Sequence, residues 1–555
     1  MRSMVGGKRA GEEAPGLLLV DADRREPTLT EAVAVATTRG QAVPQAPQHG
    51  YLWDEQDRPN DLAAQRWGVI APEGREGDEL LAAIAPLIAA RAEQQGAPVK
   101  LYRVPAEMSP ASAASWKREV FNRSEKLRQH LPRYQLVLGD LHQVAETLQI
   151  SQATDGFVGR LAFDALEDYA HYCAKLLAAE AAPPPASRRA LFHGVQDGTA
   201  ATEAGLRGLV RPCVELAREM AGLFPAAIEE SGDEEPDPAA LRSRAAATDV
   251  LLTLSHGAGA PRGGWRSAGE QRARQGAMSF GRDADDLRGE QLASGDFAPQ
   301  GLWLMFACFS AGTPTASKYA RWIEALIASG QAAGRPEQVL ESLPRPGEPA
   351  FVAAIPKAAL RNPQGPLAFI GHVDLAWSYS FREVDSGRPR FQPGRFVDTL
   401  AAALKGDRVG VAFRHLFRYF EQVNTELTTL DEGTEDQARK RAQLWMLRQD
   451  LAGFMLLGDP AARLRPPSPV KVATRPAASL QAQVADFFGG TAVMPASPAV
   501  TAAPSIDRLE QAIGLVLAGS HSPARAAQGL GISADELAAL VSTYRRGGRA
   551  AIGRD

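Results

Sequence analysis

Short apolar runs alternate with helix-length amphipathic stretches from about Trp67 to Leu457, which predicts an α/β fold built on a mainly parallel sheet flanked by helices. Two further observations sharpen this reading. The runs, Leu302 to Ala307 above all, are continuously apolar, as in strands buried on both faces. Two of them end in a residue of catalytic type, His256 and Cys308, where the run gives way to a glycine-containing loop.

The elements divide the chain into five stretches. Residues 1–65 are rich in Ala, Gln, Pro and Gly, with one apolar run at Leu17 to Val20, and read as a loosely packed N-terminal extension. Residues 66–150 read as a small α/β subdomain: a strand to Ala71, a helix over Asp78 to Gln95, a strand over Val99 to Val104, a helix over Ser112 to Arg128 and a strand over Tyr134 to Leu138. Residues 151–465 form the main domain. A helix over Ala165 to Ala182 stops at Pro183-Pro184-Pro185, and a strand (Ala190 to Phe192), a helix (Thr202 to Gly222) and strands at Asp249 to Leu254, Leu302 to Ala307, Leu367 to Ile370 and Phe454 to Leu457 follow. The acidic stretch Glu229 to Asp237 reads as a solvated loop. Residues 466–504 have the composition of an extended tether, and residues 505–555 carry three helical patterns.

Composition narrows the function classes. With 45% hydrophobic and 23% charged residues the 555-residue chain is globular in make-up, and its net charge of −4 offers no strong field for nucleic acid. No apolar stretch is long enough for a bilayer, and Met1 to Pro15 lacks the pattern of a secretory signal, so no membrane partner and a cytoplasmic location are expected. Cys173, Cys213 and Cys308 are an odd number without metal-ligand spacing, which supports neither a disulfide framework nor a zinc site, and no cofactor is expected.

The carboxyl ends of neighbouring parallel strands open onto one crevice, so a histidine and a cysteine ending two strands can converge there. Acyl transfer through cysteine needs a thiolate, a proton donor for the leaving group and donors for the oxyanion. Cys308 is the expected nucleophile and His256 the proton donor; the N–H groups of Gly257 and Cys308 are the expected oxyanion donors.

Ser255-His256-Gly257 after one apolar strand and Ala307-Cys308-Phe309-Ser310-Ala311-Gly312 after the next resemble the His-Gly and Ala-Cys motifs of caspase-fold cysteine peptidases. Leu138-Gly139-Asp140, Val158-Gly159-Arg160-Leu161 and Leu456-Leu457-Gly458-Asp459-Pro460 make the gingipain branch the nearer likeness, across roughly residues 66 to 464. The resemblance implies a caspase-like fold, endopeptidase activity through a His-Cys dyad and a protein or peptide substrate. It also implies that the chain after the Leu367 strand lines the pocket for the residue before the cut, with Asp374, Trp377 and Ser378 as substrate-binding residues. A buried Asp374 there favours Arg or Lys, whereas its other reading is a turn residue. With basic specificity, Arg242 and Arg244 become self-cleavage candidates.

Bland readings stand beside these. A lone His or Cys is more often structural than catalytic, and it is the matched strand-end contexts that favour the pair. His193-Gly194 also ends a strand, one strand too early. Cys173 and Cys213 have the spacing of helix core positions. Residues 505–555 resemble a helix-turn-helix, with a second helix over Ser522 to Gly529, a turn at Gly531 to Ser533 and a third over Ala534 to Tyr544. Arg545, Arg546 and Arg549 follow, yet six Lys or Arg against five Asp or Glu make a weak footprint for DNA, so DNA and a regulatory protein are both open as partners. The alternative to a peptidase is a DNA-binding or adaptor protein with an inactive caspase-like core that binds peptide. A different cysteine hydrolase or transferase is a third reading.

Overall fold

The apolar runs become the strands. In chain order these are β1 (Leu19–Asp21), β2 (Trp67–Pro72), β3 (Lys100–Val104), β4 (Tyr134–Leu138), β5 (Phe157–Leu161), β6 (Arg189–Gly194), β7 (Ala227–Ser231), β8 (Val250–Leu254) and β9 (His256–Gly259). They continue with β10 (Met278–Ser279), β11 (Leu302–Phe306), β12 (Gly312–Thr313), β13 (Phe351–Val352), β14 (Ala368–His372), β15 (Arg382–Asp385), β16 (Arg388–Phe391) and β17 (Phe454–Leu457). The computed structural model describes residues 16–31, 58–124 and 130–467, apart from 221, 233–235, 332–333, 346, 386–387 and 431–433, together with scattered positions between 509 and 541. Met1–Pro469 and Val470–Asp555 are separate compact units.

Ten strands form one sheet in the order β3-β2-β4-β5-β17-β14-β11-β8-β6-β7. Neighbours are parallel except β17 and β14, which are antiparallel. The sheet is thus two parallel five-stranded halves of opposite direction joined at its centre, flanked by helices. Residues 66–150 and 151–465 share it, because β4 pairs with β5, and β17 then joins β5 to β14 across the middle. All five residues of β8 and of β11 are buried; β11 is apolar throughout, and the one polar residue of β8, Thr253, accepts from Trp303 Nε1 (3.0 Å).

Departures from expectation have local causes. The stretch over Asp78 to Gln95 is two helices, Gly74–Ala83 and Ala85–Gln95, divided where Pro86, in the first turn of the second, has no N–H to continue the ladder. Pro212 acts similarly: Ala200–Gly205 passes through a π-type turn, Leu206–Val210, before Arg211–Glu219. The acidic stretch is not a loop throughout. Its first part is the edge strand β7, where Glu229 pairs with Arg189 (3.1 Å) and Arg244 (2.8 Å). Arg242 and Arg244 lie in the helix Pro238–Ala245, so they are not in the extended form that a peptidase cleft accepts. Part of the segment Ser112 to Arg128 is helical to Phe121, and 125–129 lie outside the described residues.

The glycine and charge motifs lock the sheet. Gly159 faces Gly458 so closely that a Cβ would overlap the Gly458 carbonyl. Buried Arg160 donates to the carbonyls of Gly139 (2.7 Å), Asp140 (3.0 Å) and Val144 (2.7 Å) and to Gln149 Oε1 (2.9 Å), so it closes the turn after β4. Asp459 accepts from Trp67 Nε1 (2.9 Å), from Arg91 (2.7 Å) and from the Ala461 N–H (3.0 Å), all buried.

In the C-terminal unit the described helical positions around Ile513, Ala527 and Leu537 share a small apolar core. Ser533 and Glu536 cap the last helix reciprocally, through Glu536 N–H to Ser533 Oγ (3.2 Å) and Ser533 N–H to Glu536 Oε2 (2.7 Å). The arginines at 545, 546 and 549, and most of the tether, lie outside the described residues.

Asp459→Ala strips Arg91 of one carboxylate partner and leaves Trp67 Nε1 without an acceptor. It should cost about 3–5 kcal/mol, the range for breaking a buried ion pair, read as a lower denaturant midpoint in urea unfolding.

Candidate active site

β8 and β11 are neighbours in register, Leu254 opposite Phe306, so the residues two positions beyond, His256 and Cys308, emerge side by side from the sheet. Gly257 then passes directly over the cysteine: a Cβ on it would overlap the Cys308 carbonyl. Only glycine permits this approach. Phe309 holds the left-handed conformation, φ 57°, a strained geometry for a bulky residue that turns the chain sharply after the cysteine. The Ser310 hydroxyl secures that turn: it donates to the Met305 carbonyl (3.1 Å) and accepts from the His372 N–H (2.8 Å). The Phe309 N–H donates to the Asp374 carbonyl (2.8 Å) and the Ala311 N–H to the His372 carbonyl (2.8 Å).

The imidazole of His256 is fixed from behind. Its Nε2 is 2.8 Å from Thr199 Oγ1 and 3.7 Å from Asp197 Oδ2, and its Nδ1 has no hydrogen-bond partner. Asp197 Oδ1 accepts from Thr199 Oγ1 (2.8 Å), the Thr199 N–H (3.1 Å) and Thr202 Oγ1 (2.7 Å), while Thr199 caps the following helix. Sequence reasoning missed this pair. Its signal was Asp197-Gly198-Thr199 three residues past the end of β6, a strand end opening onto the same crevice.

The Gly257 N–H (2.9 Å) and the Cys308 N–H (3.4 Å) both point at one atom, the carbonyl oxygen of Leu18. The Leu18 N–H donates to the Ala376 carbonyl (3.4 Å), Leu17 bridges Trp377 antiparallel, and Leu19–Asp21 run parallel to His256–Gly259. The run Leu17 to Val20, expected to be loose, therefore threads the site, at most 2% exposed. Leu17 and Thr199 also line a cleft of about 730 Å³ with Leu29, Arg207, Arg382 and Phe391.

This occupancy sets the protonation states. Burial raises the Cys308 thiol well above its ordinary pKa, against the Ala376 N–H, which donates to its sulfur (3.2 Å). Burial lowers His256, against the attraction of Asp197. The occupied site therefore holds a neutral thiol and a neutral imidazole.

The three residues expected to bind substrate lie after β14. Asp374, at φ 88°, accepts the N–H groups of Lys318 (2.9 Å) and Leu375 (2.8 Å) with its two oxygens, and burial raises it to about 6. Its carboxylate organises the turn after β14 through these two bonds. Trp377 is buried against Trp322 (ring centroids 5.1 Å) and Tyr319 (5.8 Å), and Ser378 is buried at the start of a short 3₁₀ turn. Asp450, another residue the sequence did not single out, accepts the N–H groups of Trp377 and Ser380 (both 2.8 Å) and lies 3.8 Å from His372 Nε2. His193 is turned to Ser231 Oγ (2.9 Å), and Cys173 and Cys213 are buried within helices.

No family model matches the chain, and no curated protein matches it. Solved structures similar to it include one titled a protease, at TM-score 0.43 and 12% identity over 75% of this chain and 81% of that one. Another is the Arg-specific cysteine proteinase gingipain R, at TM-score 0.41 and 12% identity over 72% of this chain and 78% of that one. A third is the complex of RgpB pro- and mature domains from Porphyromonas gingivalis, at TM-score 0.39 and 12% identity over 72% and 79%.

Asp450 yields a pH prediction. Burial raises it to about 7, so between about pH 4 and 7 the folded chain keeps a proton that the unfolded chain releases. Its stabilising contribution is full below about pH 4 and is lost as pH rises through 7. The stability of the wild type relative to Asp450→Asn should therefore fall across that window, as measured by urea unfolding at a series of pH values; a flat difference would contradict the assignment.

Proposed function

We propose that the chain is a cysteine endopeptidase in which Cys308 is the nucleophile and His256 the proton donor. The observation that carries this is the convergence of the Gly257 and Cys308 N–H groups on a single peptide carbonyl, that of Leu18. Two backbone donors aimed at one carbonyl oxygen are what a tetrahedral oxyanion needs.

The chemistry follows from these positions. A substrate strand enters beside Ala376 and Trp377, its carbonyl oxygen held by the two N–H groups. His256 takes the proton from the Cys308 sulfur, which adds to the carbonyl carbon, and the negative charge moves onto the oxygen facing Gly257 and Cys308. Nδ1 of His256, with no other partner, delivers the proton to the departing amine as the C–N bond breaks. Asp197 and Thr199 keep the ring oriented through Nε2 and stabilise the imidazolium. Water, activated by the same histidine, then splits the thioester and restores the thiol. Preference for Arg or Lys before the cut, as first expected, finds no support in the bonded carboxylate of Asp374.

The test is hydrolysis of fluorogenic peptides differing in the residue before the cut, at micromolar enzyme over hours so that slow turnover registers. Cys308→Ala and His256→Ala should each lower turnover by a factor on the order of 10³ or more. Turnover that survives Cys308→Ala, or none on any peptide even by a chain whose Leu17–Val20 strand is loosened by substitution, contradicts the reading. Asp197→Asn should lower kcat by about a hundredfold with little change in KM, because it acts on the orientation and charge of the histidine and not on binding.

A further inference from the structure

The segment in the cleft is built as a substrate is bound. Leu18 places its carbonyl on both oxyanion donors and its N–H on the Ala376 carbonyl, so it stands where the residue before a cut would stand. Its side chain is 1% exposed and belongs to the continuous apolar core. Its neighbour Leu17 bridges Trp377, which packs on Tyr319 (ring centroids 5.8 Å). The nearby carboxylate, Asp374, is committed to backbone N–H groups.

The far side of the segment is tied down. Leu19–Asp21 pair with β9, the Leu19 carbonyl accepts from the Thr28 N–H (3.0 Å), and Val20 bridges Pro27, which makes a hairpin. At its return, Glu26 forms ion pairs with Arg335 (2.8 Å), Arg282 (3.4 Å) and Arg262, and Arg25 with Asp285 (3.2 Å) and Asp286 (2.9 Å). An amine released at Leu19 would remain held beside the acyl group it left, so cutting the Leu18–Leu19 bond would not free the cleft.

We propose that Leu17–Leu19 is a built-in occupant that keeps the cleft closed, and that the pocket filled by Leu18 selects substrates with leucine or a similar apolar residue before the cut. The substrate class rests on the peptidase reading; the seating of the strand does not.

Alkylation of Cys308 by iodoacetamide, followed by peptide mapping of the full chain, reads the seating without requiring turnover. Leu18→Arg puts a charge into the apolar pocket, and should speed alkylation about tenfold or more by opening a local equilibrium. Glu26→Gln loosens the hairpin without touching the cleft, and should speed alkylation severalfold even if Leu18→Arg folds poorly. Leu18→Met, of similar volume, should alkylate as slowly as the wild type. Cys308 labelling unchanged by both Leu18→Arg and Glu26→Gln overturns the closed-cleft proposal. In whichever of these two chains is opened, an acetylated peptide with leucine before the scissile bond should slow alkylation at least several-fold more than its arginine counterpart; equal or better protection by arginine overturns the apolar pocket. Hydrolysis of the same peptides is scored separately: protection by the leucine peptide without any hydrolysis supports the occupant and the pocket while contradicting the peptidase reading.

Discussion

The close passage of Gly257 over Cys308 is the constraint on which the rest depends. Because no side chain stands between them, the two backbone N–H groups can face the same oxygen. That approach in turn needs β8 and β11 to be adjacent and in register, as their five paired, fully buried residues are. The antiparallel join between β14 and β17 completes the sheet behind them, and the Arg160 and Asp459 clamps hold the second half of the sheet against that join.

Much of this was legible in the sequence because the strands are continuous apolar runs and the reactive residues sit where those runs stop. His256, Gly257 and Cys308 could be named from that pattern alone. The residues that were missed belong to a different kind of signal. Asp197 and Thr199 act through hydrogen bonds from a loop on the neighbouring strand, and Asp-Gly-Thr after a strand is common as a helix cap without any further role. β7 was hidden because its residues, on the sheet edge, are only half buried and carry charges paired with Arg189 and Arg244. Asp374 read from the sequence equally as a recognition residue or a turn residue, and its bonds to the Lys318 and Leu375 N–H groups, made at a positive φ, are not displayed by sequence. The Leu17 to Val20 run carried an apolar signal, yet its partner lies more than two hundred residues away in the chain, beyond the reach of local periodicity.

A seated N-terminal strand also accounts for the electrostatics of the site. A cysteine nucleophile needs thiolate character, and a buried thiol beside a neutral imidazole has little. In the proposed peptidase, water entering as the strand leaves would weaken the burial behind both shifts, so the movement that admits substrate would also favour a competent dyad. Opening and activation are then one event, governed by the apolar grip on Leu18 and by the ion pairs of Glu26 at the hairpin return.

The central claim is that Cys308 and His256 form one reacting centre, and covalent labelling of the full chain with a peptidyl chloromethyl ketone tests it most directly. The account predicts a single adduct, located at Cys308 by peptide mapping, whose rate falls by a factor on the order of a hundred in His256→Ala because the imidazole no longer draws the proton from the sulfur. Labelling at Cys308 that proceeds equally fast without His256, or adducts distributed over Cys173 and Cys213 as well, would contradict it.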